Sequence, residues 1–175
     1  MEKGVGMTTS RCVHEIWAAE DDEGHYRLLL KILERSNIQA SVRRFFDGQQ
    51  VLDYLTQHET VGNPDNTGIG LLLELRLPKI SGEEVLRRIR LAALPILREL
   101  PVVVVTSSRD PDDRIACLRL GCDAFLEKPF NPQQLDSAIL LAMSRRTVQI
   151  CASQRRGGCP ILQGITTNLK SFVLH

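Results

Sequence analysis

The sequence predicts an α/β fold: a five-stranded parallel sheet, doubly wound by helices, followed by a C-terminal extension. Three observations predict it. Short apolar runs alternate with amphipathic stretches five times in series, the pattern of consecutive βα units. The runs lack polar alternation, as strands do when helices cover both faces of a parallel sheet. The chain of 175 residues, 43% hydrophobic, suits one core-forming domain of roughly 100–150 residues plus extensions.

Each element has a local reason. Val13–Ala19 is a first strand that stops at Glu20-Asp21-Asp22. Tyr26, Leu29, Leu30, Ile32 and Leu33 then recur at three- and four-residue spacing and mark a helix. Ala40–Phe46 is a second strand, and Arg43 and Arg44 suggest that it lies at an edge. Asp47-Gly48 is a turn, and Val51, Leu52 and Leu55 mark the second helix. Gly62–Gly70 is a polar loop, and Ile69–Leu75 a third, nearly all-apolar strand. Ser81 caps the third helix, with Glu84 three residues on as in a capping box and Val85, Leu86 and Ile89 as the inward stripe. Pro101–Thr106 is a β-branched fourth strand. The polar segment Ser107–Asp113 opens a fourth helix carrying Ile115, Leu118 and Leu120, and Gly121 ends it. Ala124–Glu127 is a short fifth strand. Pro132 starts the fifth helix, with Leu135, Ile139, Leu140 and Met143 facing in. These units predict a domain over residues 13–145, a flexible segment at 1–12 and a basic tail at 146–175.

The overall net charge of +1 hides a split. Residues 1–144 hold all 21 acids against 17 bases, a net of −4, whereas the last 31 residues hold Arg145, Arg146, Arg155, Arg156 and Lys170 and no acid. Such asymmetry can mark an interaction tail, although the tail lacks the aromatic interleaving of a nucleic-acid-binding arm. No apolar run reaches the ~18 residues a membrane span needs. Met1–Arg11 has no apolar core of a signal peptide. The five cysteines form no CxxC pair, which disfavours a zinc site or a disulfide scaffold and fits a reducing cytoplasm. Cys117 and Cys122 read as packing residues, and Trp17 as core.

Ligands of an open parallel sheet sit at the carboxyl ends of its strands. Strand one ends at Glu20-Asp21-Asp22, strand three at Glu74, strand four at Thr106-Ser107-Ser108 and strand five at Glu127-Lys128-Pro129. Two or three carboxylates on one rim are a site for a hard cation such as Mg²⁺. A hydroxyl and an ammonium can hold phosphoryl oxygens. The plainer alternative is that Glu20 and Asp21 are helix N-terminal charges and that Lys128 pairs with one of them.

The segments AAEDDEGHYRLL (18–29), LLLELRLPKISGEEVLRRIR (71–90), PVVVVTSSRD (101–110) and GCDAFLEKPF (121–130) resemble the receiver domain of two-component response regulators, which has a flavodoxin-like fold. The Gly62–Gly70 insertion and the LRELPVVVVTSS stretch look most like single-domain receivers that partner phytochrome-type sensor kinases. The resemblance implies a phosphorelay signalling module, not an enzyme. It implies that Glu20 and Asp21 are the acidic metal-binding pair and that Glu74 lies at the phosphoacceptor position and completes a Mg²⁺ site. It makes Thr106 the switch hydroxyl, Phe125 the aromatic switch residue and Lys128 the phosphoryl-binding lysine, with Lys128-Pro129 commonly a cis bond. Pro78 and Gly82 match the turn that follows. Phe125 has no hydroxyl, so it either switches by ring position alone or is a static core aromatic.

The sequence departs from the family at one decisive place: residue 74 is glutamate where aspartate is expected. Glutamate adds one methylene, and displacements near 1 Å can cost about 10²-fold in positioned chemistry. In-line transfer from a phosphohistidine depends on such positioning. A longer acid can instead reach Lys128 and Thr106 and partly imitate the phosphorylated state, with about one negative charge instead of nearly two. The residues also leave open a working phosphoacceptor receiver and a Mg²⁺-dependent phosphotransferase or hydrolase, although no GxxxxGK[ST] or GxGxxG motif is present. The implied partners are a sensor histidine kinase or a downstream signalling protein, with a homodimer as a further option. The implied output face joins the fourth helix, fifth strand and fifth helix, including Ile115, Arg119 and Phe125.

Overall fold

The structure, a computed structural model, describes residues 15–61 and 68–153. The expected flexible segment at 1–12, most of the Gly62–Gly70 loop and the tail beyond Ser153 lie outside them. Five strands, β1 (Glu15–Ala19), β2 (Ser41–Phe45), β3 (Gly68–Leu73), β4 (Val102–Thr106) and β5 (Ala124–Glu127), form one sheet in the order β2-β1-β3-β4-β5. Every pairing is parallel. The helices are α1 (Glu23–Glu34), α2 (Gly48–Val61), α3 (Gly82–Leu91), α4 (Pro95–Arg98), α5 (Pro111–Leu120) and α6 (Pro132–Ser153).

The sheet buries two apolar layers. Trp17, Leu71, Leu73, Val102 and Val104 face α2, α3 and α5, while Ile16, Ala18, Leu72, Val103 and Val105 face α1 and α6. Successive strand residues point to opposite faces, so strands with no polar positions require exactly these two covered faces. Trp17 is core, as expected. β2 is an edge strand, and its Arg43 and Arg44 extend over the rings of Tyr54 and of Tyr26 and Phe46.

Helix signals act where the sequence puts them. Ser81 accepts a bond from the Glu84 amide at 3.3 Å, and Gly121 ends α5 in the left-handed conformation, φ 89°. Gly82 starts α3 against the chain just past β3: a β-carbon there would lie 2.1 Å from the Glu74 carbonyl oxygen. Glycine is therefore required to let α3 approach the residue that matters most to the site.

Several expectations need correction. The third strand runs Gly68–Leu73, not Ile69–Leu75, so the polar loop is shorter and Glu74 stands just beyond the strand. A one-turn helix, α4, was not foreseen, because Pro95 starts a segment too short to show periodicity. In α5 Cys117 is buried and Ile115 exposed, as expected of a packing residue and of the output face, and Leu118 is exposed as well. Leu140 of α6 also sits at the exposed boundary, whereas Leu135 and Ile139 are buried.

The last correction concerns charge. α6 continues to Ser153, past the expected domain end at residue 145. Arg145 and Arg146, counted in the tail, bind the body at the amino ends of the strands. Asp123 is 3% exposed and accepts bonds from the Val102 amide at 2.8 Å, Arg90 at 3.0 Å and Arg146 at 2.6 Å. Arg145 donates to the Asp123 carbonyl oxygen, and Arg146 also pairs with Glu99 at 2.9 Å. Burial, aided by the nearby Arg146 charge, pulls Arg90 down to about 10. Asp123→Ala removes the carboxylate shared by two nearly buried guanidinium groups and by a strand amide. Removing one partner of a buried charge network costs about 3–5 kcal/mol, and urea unfolding of the variant is expected to show a loss of that size.

Candidate functional site

The site forms where β1, β3, β4 and β5 end on one rim. Glu20 follows β1 directly, and its amide donates to the Phe45 carbonyl at 3.0 Å. Glu74 follows β3, and its amide donates to the Ala19 carbonyl at 3.1 Å. Thr106 is the last residue of β4 and fully buried. Lys128 follows β5 and donates its amide to the Thr106 carbonyl at 2.8 Å. Backbone ladders thus extend one residue past β1, β3 and β5 and fix four functional side chains side by side. The Lys128-Pro129 bond is cis, as the family resemblance implied.

The Lys128 ammonium lies between two carboxylates, 2.5 Å from Glu20 Oε2 and 2.8 Å from Glu74 Oε2. Glu74 Oε1 accepts from the Thr106 hydroxyl at 2.6 Å, the Leu75 amide at 2.7 Å and the Arg76 amide at 3.3 Å. The Glu20 and Glu74 side chains are only 6% and 7% exposed. Burial alone would raise the Glu74 carboxyl, but the Lys128 and Thr106 hydrogen bonds outweigh it and hold the group below its ordinary 4.5. Glu74 is therefore an ionised, fully hydrogen-bonded carboxylate at neutral pH.

The structure brings Glu20, Glu74, Thr106 and Lys128 together. The other two expected residues stand in different surroundings. Asp21 is exposed and is not among the residues lining the adjacent cavity of about 220 Å³ between α1 and the β5–α6 connection. Phe125 packs half-buried against the α3–α5 side of the core, with the Arg114 guanidinium 5.3 Å from its ring centroid. Among the described residues no group of three or more His, Cys, Asp or Glu side chains is arranged to hold a metal ion. The expected Glu20-Asp21-Glu74 set thus does not assemble. Glu74 has spent both oxygens on the lysine, the threonine and two amides, and Glu20 Oε2 is spent on the lysine. Only Glu20 Oε1 lacks a hydrogen-bond partner, and its accessible area is below 1 Å². The residues as arranged do not fit a divalent cation.

Sequence reasoning missed two neighbours. His25 Nδ1 stands 3.4 Å from Glu20 Oε1 and 3.5 Å from Lys128 Nζ. Its signal was position: it lies in the first turn of α1, one turn past the acidic run. Arg44 holds the same loop from beneath, donating to the Glu20 carbonyl at 3.0 Å and the Asp21 carbonyl at 3.1 Å and pairing with Glu23. Cys117 and Cys122 are packing residues: burial pushes their thiols up to about 12 and about 11.

Residues 16–140 match the family model described as response regulator receiver domain. The chain belongs to this family. Curated relatives include the response regulator Rcp1 of Synechocystis, 34% identical over 120 residues that cover 69% of this chain and 80% of Rcp1. They also include the probable methanogenesis regulatory protein FilR2 of Methanothrix harundinacea, 34% identical over 124 residues covering 71% of this chain and 77% of the relative. Among solved structures, the bacteriophytochrome response regulator AtBRR aligns with a TM-score of 0.63 and 34% identity, covering 74% of this chain and 92% of its own. The Mn(2+)-bound form of Rcp1 aligns with a TM-score of 0.58 and 29% identity, covering 84% of this chain and 99% of its own. The protein is therefore a receiver domain of two-component signalling, close to phytochrome response regulators and built on the flavodoxin-like receiver fold. The family match does not favour the phosphotransferase and hydrolase alternative.

The site makes a pH prediction. The carboxyl of Glu74 is lowered in the folded chain, so its stabilisation is complete above its ordinary 4.5 and is lost as pH falls through the lowered folded value. Glu74→Gln is expected to be less stable than the parent at neutral pH and to converge on it in acid. Thermal melts from neutral pH to below pH 4 test this, and a constant gap across that range would contradict it.

Proposed function

We propose that this receiver signals without phosphorylation, held toward the conformation that phosphate would otherwise induce, because Glu74 occupies Lys128 and Thr106 permanently. One observation supports this most directly: a single carboxylate bridges the ammonium at 2.8 Å and the switch hydroxyl at 2.6 Å. In phosphorylation-dependent signalling, phosphoryl oxygens would engage those two groups. Here the side chain does so from the outset, with about one negative charge where a phosphoryl group carries nearly two. Both Glu74 oxygens are engaged, so neither is presented as a nucleophile for in-line attack.

Further roles belong to the same proposal. The protein works as a non-catalytic signalling module in the cytoplasm; among the described residues no helix is long and apolar enough to cross a membrane. Its partner is a sensor histidine kinase of the phytochrome type or a downstream signalling protein. Contact is made through α5, β5 and α6, where Ile115, Leu118 and Leu141 are exposed. The arrangement of side chains gives no support to the Mg²⁺ foreseen from the sequence.

The test is intact mass after incubation with acetyl phosphate, or with a phosphorylated kinase, in the presence of Mg²⁺. The parent chain is expected to gain nothing, while Glu74→Asp gains one phosphoryl group. A stoichiometric gain by the parent would refute the proposal and restore the phosphoacceptor alternative.

A further inference from the structure

We propose that the Lys128 ammonium is the resident cation of this acidic pocket, replacing a divalent metal, and that removing it or drawing it away from Glu74 turns the pocket into a divalent-cation site. The proposal deepens the function proposed above, because the same Glu74–Lys128 contact underlies both.

The charges and oxygens carry it. Glu20 and Glu74 place two negative charges on one rim, almost fully withdrawn from water. Such a pair needs a cation, since an uncompensated buried charge is costly. Lys128 supplies it by touching both carboxylates at once. A hard divalent cation recruits the same two groups, so lysine and metal compete for one position. Three features set the outcome for lysine. The longer reach of Glu74 delivers Oε2 to the ammonium, while its Oε1 is held by Thr106 and two amides. The remaining free oxygen, Glu20 Oε1, is closed to solvent. The third expected ligand, Asp21, faces solvent.

Among the described residues no other cation touches both carboxylates, so the lysine is the group a divalent ion must displace. Arg44 grips the backbone carbonyls of Glu20 and Asp21 from beneath the loop, and its guanidinium pairs with Glu23, away from the two carboxylates. His25 is the other nitrogen-bearing side chain at hydrogen-bonding range of the group. Its imidazole is itself a competent ligand for Mn²⁺-class ions. Taking away the ammonium therefore leaves two nearly buried carboxylates without their shared cation, where the parent presents a closed ion pair.

The experiment is a Mn²⁺ titration of the full chain without any phosphodonor. Free Mn²⁺ is read by electron paramagnetic resonance, and thermal melts are recorded with and without the ion. The parent chain is expected to show no saturable binding at millimolar Mn²⁺ and no shift in melting temperature. Lys128→Ala is expected to bind one Mn²⁺ at least about tenfold more tightly, a gain equivalent to about 1.4 kcal/mol, and to melt higher with the ion than without it. Glu74→Asp keeps every charge but withdraws the acid from the ammonium, and is expected to gain binding as well. It serves as the second variant should Lys128→Ala not fold. Adding Glu20→Gln to either variant is expected to abolish the gain. Saturable one-to-one binding by the parent overturns the proposal, as does a folded variant of either kind that binds no better than the parent. The outcome separates from that of phosphorylation: a parent that binds Mn²⁺ but takes no phosphoryl group overturns this inference alone, and one that excludes Mn²⁺ yet is phosphorylated overturns the proposed function alone.

Discussion

Two buried carboxylates share one ammonium at the carboxyl rim of the sheet, and this constraint orders the site. Glu20 comes from the end of β1, Glu74 from β3 and Lys128 from β5, so the charge cluster ties the middle of the sheet to its far edge. Thr106, from β4 between them, completes the row by donating to Glu74. None of the three charges is stable there alone. Each side chain therefore fixes the position of the others, and the backbone ladders leave them little freedom to rearrange.

The two ends of the sheet are handled by different chemistry. At the carboxyl rim an anionic pair is held by one lysine. At the amino end Asp123 gathers Arg90 and Arg146 and binds the β4 backbone directly. The second cluster anchors α6 to the loops before β4 and β5, on which the positions of Thr106 and Lys128 depend. Arg44 adds a third anchor, stacked between Tyr26 and Phe46 while holding the β1–α1 loop. Site geometry is thus supported from below, from behind and along the rim.

Much of this was legible in the residues. Unbroken apolar runs gave a parallel sheet, and the polar residues placed after them gave Glu20, Glu74, Thr106 and Lys128 as neighbours. The glutamate at position 74 could be singled out because every surrounding residue kept the family pattern. What escaped was chemistry that depends on distance in space. Asp123 joins Arg90 and Arg146, 33 and 23 residues away, and no local period records such a cluster. The same blindness counted Arg145, at the expected domain end, and Arg146, in the expected tail, with the basic C-terminal charges. With both bound to the body, the charge split that seemed to fall at the domain end shrinks to Arg155, Arg156 and Lys170.

On the proposed function, Glu74 does from within the chain what a phosphoryl group does from outside it. The most direct measurement compares three amide spectra by nuclear magnetic resonance: the parent, Glu74→Asp alone, and Glu74→Asp loaded with Mg²⁺ and beryllofluoride as a phosphoryl analogue. Resonances of Thr106, Phe125 and α5 in the parent are predicted to fall close to those of the loaded variant. Coincidence of the parent with the unloaded variant would contradict the account.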